Sequence, residues 1–251
     1  MQRFKNRAAI VTGAGRGMGR ACSLAFAREG ASVALVDVQK DIVEEVASEI
    51  KNNGGRALAI VCDVSRSEDV RKAVGQVVKE FGTLDILVNN AGVLRVTAPV
   101  EDISEEEWDL IINVNLKGVF LFSRAVLPIM RAKRYGKIVN ISSSAGRSTS
   151  ELGGAHYTVS KAGVLGLTRH TAREYGRYGI NVNSICPGLV ETPMIREKAS
   201  QDRLDHWLAQ IPLGRFAEPR EEADLVLFLA SDEAAYITGA TIDFNGGSLL
   251  I

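Results

Sequence analysis

The chain has 251 residues, a length that one large α/β domain commonly fills. Thirty lysines and arginines balance thirty aspartates and glutamates, so no net field draws it to nucleic acid or to a charged membrane surface. Hydrophobic residues make up 46% of the chain, yet the uninterrupted apolar runs are strand-sized, short of the ~20 residues of a membrane span.

The opening MQRFKNRAAIVTG runs directly into a strand pattern, with no apolar leader and no small-residue cleavage site. No signal peptide is expected, and a cytoplasmic chain is. Seven strands are predicted at Ala8–Val11, Ser32–Val36, Ala57–Val61, Asp85–Asn89, Lys137–Ile141, Asn181–Ile185 and Thr241–Phe244. Each is short and continuously apolar, as a strand covered on both faces must be. Helical periodicity falls between them, near Met18–Glu29, Asp41–Asn52, Glu68–Phe81, Glu105–Ala132, Tyr157–Tyr178 and Arg220–Ser231. Ser104 followed by Glu107 has the spacing of a capping box at the start of the helix expected at Glu105–Ala132. No repeat or linker interrupts the alternation, which predicts one doubly wound parallel-sheet (Rossmann) domain over 1–251, helices on both faces. Ligands of such sheets bind beyond the carboxyl ends of the strands.

The first strand is followed by Gly13-x-x-x-Gly17-x-Gly19, which does not fit GxGxxG in register. Glycines here still let backbone approach a pyrophosphate resting on a helix N-terminus. Asp37 ends the second strand about twenty residues on, where an acid can bind ribose hydroxyls and repel a 2′-phosphate. Arg16, inside the glycine loop, acts in the other direction, so NAD is expected and NADP remains possible. Tyr157 and Lys161 lie four apart on one helix face, where an ammonium can lower a phenol that titrates near 10 by about 1–3 units.

Cys22, Cys62 and Cys186 are odd in number and widely spaced, which predicts free thiols rather than a disulfide framework. His156, His170 and His206 have no metal-site spacing. His156 adjoins Tyr157 and is expected to be structural.

The segments TGAGRGMG, CDVS at 62–65, NNAG at 89–92, VNLKG at 114–118, NISSSAG at 140–146, YTVSK at 157–161 and PGLVETPM at 187–194 occur in the order found in short-chain dehydrogenases/reductases. The chain resembles that family over essentially its whole length. The resemblance implies a catalytic tetrad of Asn115, Ser143, Tyr157 and Lys161. Tyr157 would exchange the proton, Lys161 would lower its pKa and hold the nicotinamide ribose, Ser143 would bind the substrate oxygen, and Asn115 would hold a relay water. Ser142 and Ser144 flank Ser143, so the choice of serine rests on the match of the segment. Cofactor contacts are implied at Gly13, Arg16, Gly17, Met18, Gly19 and Asp37, and at Asp63 and Val64 for the adenine. Asn89, Ala91 and Gly92 would support the ribose, and Pro187, Gly188, Val190 and Thr192 the nicotinamide end. No metal is required.

The resemblance places the substrate pocket among Val93–Val96, Arg147–His156 and Met194–Gln210, a mixture of apolar and charged residues with a mobile-looking lid, in which the helical spacing of Leu204 and Trp207 suggests core or lid packing. It would accept a small ketone or secondary alcohol. FLASDEAAYITG at 228–239 is similar to 3-oxoacyl-acyl-carrier-protein reductases, whose basic residues meet the carrier near the mouth of the site; Arg134 sits where one such arginine would lie, while Tyr178 stands in place of the other with Arg177 adjacent, and an NADPH-dependent reductase is the alternative. A non-catalytic NAD-binding sensor is the alternative of another class. A homotetramer is implied, through the two long helices and the apolar end Ser248–Ile251; no nucleic acid and no membrane partner is expected.

Overall fold

The apolar runs become β1 (Ala8–Thr12), β2 (Ser32–Asp37), β3 (Arg56–Val61), β4 (Ile86–Asn89), β5 (Gly136–Ile141), β6 (Ile180–Pro187) and β7 (Thr241–Phe244). All seven expected strands are present, their ends moved by two residues or fewer. The computed structural model describes every residue except Met1, Thr97 and Glu151, and the backbone but not the side chain of Met194. The helices are α1 (Gly17–Arg28), α2 (Lys40–Asn52), α3 (Ser67–Phe81), α4 (Glu105–Ile112), α5 (Gly118–Lys133), α6 (Ala155–Tyr175), α7 (Pro193–Lys198), α8 (Gln201–Ala209) and α9 (Pro219–Ala230).

The strands pair in parallel in the order β3-β2-β1-β4-β5-β6-β7. Their alternating side chains feed two cores. Val11, Leu35 and Val88 pack with Phe26 of α1, Ile50 of α2 and Val226 of α9. Ile10, Val36 and Leu87 pack with Val74 of α3 and Phe122 and Met130 of α5. Each such buried side chain contributes about 1.5–3 kcal/mol, so packing rather than helix propensity holds the layers. Chain order reverses between β1 and β4, where Ile10 pairs with both Ala34 and Leu87. That reversal opens a crevice at the carboxyl ends of the strands.

The stretch read as one helix from Glu105 is α4, a π-helical turn at Asn113–Lys117, and α5. Ser104 Oγ accepts the Glu107 N–H at 3.2 Å, as the cap requires. The whole stretch Glu105–Lys133 is long and apolar enough by composition to cross a membrane, which the uninterrupted apolar runs did not suggest. Half of its apolar window is buried in the fold, Leu121, Phe122 and Val126 of α5 entering the second core. α6 ends at Tyr175 and continues as a 3-10 turn to Tyr178. The segment read as a mobile lid is α7 and α8, and Leu204 and Trp207 of α8 join Leu94 and Leu152 in a third, smaller core.

Candidate active site

The loop between β1 and α1 is bare backbone because nothing larger fits. Gly13 and Gly17 have φ of +64° and +55°, a region that L-residues with a Cβ avoid. A Cβ on Gly13 would meet Ala91 Cα at 2.9 Å, and one on Gly19 would collide with the Gly13 carbonyl and the Asn90 amide. Asn90 Nδ2 donates to the Thr12 and Gly13 carbonyls at 2.8 and 3.1 Å. Thr12 Oγ1 accepts the N–H groups of Asn90 and Ala91, each at 3.0 Å. The first turn of α1 holds no acid, and Arg16 makes no side-chain cap, so its N–H groups and dipole are available to an anion.

Asp37, at the end of β2, accepts N–H bonds from Gly15 and Gln39, each at 3.1 Å. A groove of about 380 Å³ runs over this loop, lined by Gly13, Arg16, Gly17, Met18, Asp37, Asp63, Val64, Ala91, Gly92 and Thr192. Arg16 leans over it toward Glu197 of α7, 3.9 Å away. A pyrophosphate-sized approach to the glycine backbone, an anion-ready helix and a carboxylate at ribose distance in sequence all fit a dinucleotide.

The groove leads into a cavity of about 100 Å³ lined by Ser143, Tyr157, Lys161, Pro187, Gly188, Val190 and Thr192, with Met18 and Gly92 common to both. Lys161 Nζ lies 5.7 Å from the centre of the Tyr157 ring and donates to the Ile141 carbonyl at 2.9 Å. Ser143 Oγ accepts the Ala145 N–H at 3.1 Å and lines the cavity together with Tyr157, whose phenol it holds down. Ser142, by contrast, spends its hydroxyl on the Lys161 carbonyl at 2.8 Å. Of the two, it is therefore Ser143 that meets the tyrosine.

Asn115 is fully buried in the π turn, a helix defect that recurs at functional sites. Its Oδ1 accepts the Val93 N–H at 2.8 Å, and its Nδ2 donates to the Val93 carbonyl at 2.9 Å and the Ser160 hydroxyl at 3.3 Å. The side-chain amide thus fixes the 90–93 loop. A Cβ on Gly92 would lie in ordinary contact with Asn115 Oδ1 at 3.5 Å and Lys161 Nζ at 3.6 Å, which places this loop against both side chains.

Burial pushes the Tyr157 phenol above its ordinary value, while Ser143 opposes that rise. Burial brings the Lys161 ammonium down to about 8. The expectation that the lysine lowers the tyrosine is therefore not met in the protein alone, because desolvation of the phenolate is the larger effect. Beneath the site, Glu222 of α9 is fully buried, neither carboxyl oxygen has a hydrogen-bond partner, and burial pushes it up to about 8.

Beyond Tyr157 a further cavity of about 250 Å³ includes Leu94, Ser143, Ser148, Ser150, Leu152, Ile195, Trp207, Gln210, Ser248 and Leu249 in its lining. The charged mixture expected here is not what lines it. Arg95 is exposed and outside the lining, and Arg147 faces Asp243 of β7 at 3.2 Å. Glu151 and the Met194 side chain, also expected here, lie outside the described residues.

Three further expectations are corrected. Asn89 does not reach the groove: it bonds Asn140 Oδ1 at 2.8 Å and Ser123 Oγ at 3.4 Å, because the last residue of β4 points toward α5. Gly19 lines none of these cavities and serves by making room for the Gly13 carbonyl. Arg134 precedes β5 and Arg177 precedes β6, joined by Arg134 Nη2 to the Arg177 carbonyl at 3.0 Å. Both sit at the amino ends of strands about 20 Å long, away from their own chain's Tyr157.

Sequence reasoning missed the partner of His156. The His156 ring accepts the Tyr157 N–H at Nδ1 (2.8 Å) and bonds Glu107 Oε1 through Nε2 (2.9 Å), tying α4 to the first turn of α6.

This arrangement, a dinucleotide groove meeting a serine and a tyrosine beside a lysine, defines an oxidoreductase of carbonyl and hydroxyl groups. A family model described as enoyl-(acyl carrier protein) reductase matches residues 13–248. The 3-oxoacyl-(acyl-carrier-protein) reductase FabG of Thermotoga maritima is 41% identical over 248 residues, 99% of this chain and 100% of that protein. A solved 3-oxoacyl-(acyl-carrier protein) reductase with bound NAD from Brucella melitensis superposes with TM-score 0.91 at 36% identity, covering 98% of this chain and 92% of that one. Levodione reductase superposes with TM-score 0.94 at 35% identity, covering 98% of each chain. The chain belongs to the short-chain dehydrogenase/reductase family and is an NAD(P)-dependent oxidoreductase.

Proposed function

We propose that this chain is an NAD(H)-dependent dehydrogenase that interconverts a secondary alcohol and a ketone, with Tyr157 as the proton-exchanging residue. The observation that carries the reading is the convergence of Ser143, Tyr157 and Lys161 where the dinucleotide groove meets the separate inner pocket. When bound, the cofactor supplies or accepts the hydride. Gly13, Arg16, Gly17 and Met18 would hold its phosphates, Asp37 its adenosine ribose, and Asp63, Val64 and Ala91 its adenine end. Pro187, Gly188, Val190, Thr192 and Lys161 would hold the nicotinamide end.

Ser143 orients the reacting oxygen and stabilises charge that develops there. Tyr157 gives its proton to that oxygen in reduction and takes it in oxidation. Lys161, titrating near neutrality, carries the balancing positive charge. Asn115 positions the 90–93 loop beside Lys161. Because burial raises Tyr157, oxidation is expected to accelerate as pH rises above neutrality and reduction to slow.

The Asp37 carboxylate supports NAD(H) over NADP(H), since a 2′-phosphate beside it would meet like charge. Arg16, the cation that could offset this, already has Glu197 as a partner. Fluorescence titration is expected to give tighter NADH than NADPH binding, and Asp37→Ser to narrow the gap at least about tenfold. Tighter NADPH binding by the native protein would overturn the assignment.

A second reading, an NADPH-dependent 3-oxoacyl-acyl-carrier-protein reductase, is favoured by the activity for which the relatives are named. Asp37 and the distance of Arg134 and Arg177 from the site count against it. We also infer a homotetramer in the cytoplasm. Exposed Trp108, Phe120 and Val159 on the long helices, with Leu250 and Ile251 at the end of the chain, support burial between copies.

A further inference from the structure

The inner pocket has a chemical character that narrows the substrate. We propose that it takes a compact, uncharged secondary alcohol or ketone bearing a second oxygen next to the reacting carbon, of the vicinal-diol or α-hydroxyketone class. This assignment rests on the dehydrogenase reading above.

Size limits the substrate first. A cavity of about 250 Å³ lies at the small end of ligand sites. The cavity opens to solvent on one side, so a short carbon skeleton fills it and a longer chain would extend out of it.

Charge limits it next. Among the described lining residues none is Lys, Arg, His, Asp or Glu. The charged residues of the neighbouring loops are engaged elsewhere, Arg147 with Asp243 at 3.2 Å and Arg215 with Glu221 at 2.6 Å. A carboxylate or phosphate on the substrate would lose its water and gain no cation, which is strongly unfavourable.

The distribution of polar groups sets the class. The loop after β5 lines the pocket with the hydroxyls of Ser144, Ser148 and Thr149 beside the reacting Ser143. Among the described residues nothing hydrogen-bonds those three hydroxyls. Ser150 Oγ accepts the Gly153 N–H at 2.7 Å, which leaves its own proton to give. A hydroxyl both donates and accepts, so this set matches a substrate hydroxyl or carbonyl adjacent to the reacting one. A plain alkyl group there would displace water from these groups without replacing its bonds. Ile195, Trp207 and Leu249 provide an apolar lining for the carbon skeleton.

In oxidation, the carbinol C–H bond breaks with its electron pair, which leaves as hydride to the nicotinamide. The O–H bond breaks with its proton passing to the Tyr157 phenolate, and a C=O double bond forms. The alcohol loses two electrons and the cofactor gains them.

The test compares kcat/KM of the full-length protein with NAD for butane-2,3-diol, butan-2-ol and 3-hydroxybutanoate. In the reverse direction, acetoin is compared with the 3-oxobutanoyl thioester of N-acetylcysteamine, using NADH. We expect the diol to exceed butan-2-ol and 3-hydroxybutanoate by at least about tenfold, near the upper range of one added hydrogen bond, and acetoin to exceed the thioester. The double substitution Ser144→Ala with Ser148→Ala should shrink the diol-to-monoalcohol ratio at least about threefold. A preference for the anion, the thioester or the monoalcohol overturns the proposal, as does a ratio that the double variant leaves unchanged. Turnover of any of these compounds that disappears in Tyr157→Phe would preserve the dehydrogenase reading even then. No turnover of the whole set would overturn the substrate class, and NADH binding would then show whether the cofactor site alone survives.

Discussion

Glu222 is the residue least at ease in this fold. Its carboxyl is buried without a hydrogen bond and is pushed up to about 8 from 4.5, while Lys161 is drawn down to about 8 from 10.5. Between pH 4.5 and 8 the unfolded chain has released the Glu222 proton that the folded chain retains. Stability therefore falls as pH rises through that window. Between 8 and 10.5 the unfolded Lys161 holds a proton that the folded one has lost, so stability recovers. Glu222→Leu removes the first of these effects. Calorimetry should show it raising Tm by several degrees at pH 8, at roughly 2–4 °C per kcal/mol for this size, and by much less at pH 5. Equal shifts at both pH values would show that the carboxyl does not titrate as its burial requires. None of this was legible in the sequence, where Glu222 reads as one of several charges opening a helix. The choice of Ser143 was legible only through family likeness, since three consecutive serines have one propensity. It is their direction off β5, with Ser142 turned to the Lys161 carbonyl, that separates them.

At the scale of elements, the site depends on how α4 and α6 meet. The Glu107–His156 bond and the His156–Tyr157 N–H bond fix the turn that carries the tyrosine, and the π turn sets Asn115 against Val93. His156→Ala is expected to lower kcat about tenfold, the effect of one lost bond on a positioned group, with the KM for the cofactor little changed. His156→Asn, which keeps a side-chain amide, should recover part of that loss. A fall in cofactor affinity equal to the fall in kcat would instead mark a general loss of structure. The strands and long helices were legible because they are fully buried or strongly periodic. α7 and α8 were not. α7 has six residues, and α8 shows only Leu204, Trp207 and Leu208 on a charged background, so their packing against Leu94 and Leu152 is a tertiary effect. Asn89 and Asn90 show the same limit, because adjacent strand-end residues point to opposite sides, one into the sheet network and one onto the glycine loop.

For the whole molecule, the reversal of strand order between β1 and β4 puts the glycine loop, Asp37 and the tyrosine helix along one edge of the sheet. Charge balance and the alternation of strand and helix made this architecture readable from the start. The pocket's neutrality was not readable, because Arg147 is neutralised by Asp243, 96 positions away in the chain. Exposed apolar residues on the long helices predict association, and light scattering at micromolar concentration is expected to give four times the mass of one 27.1 kDa chain. A mass of one chain would refute that arrangement. The central claim is that Tyr157 exchanges the proton of a hydride-transfer reaction. It is tested most directly by comparing native protein with Tyr157→Phe, measuring NADH binding and alcohol-dependent reduction of NAD side by side. The account predicts NADH affinity within about threefold of native and turnover reduced at least about 100-fold. Turnover in the variant within tenfold of native would contradict it.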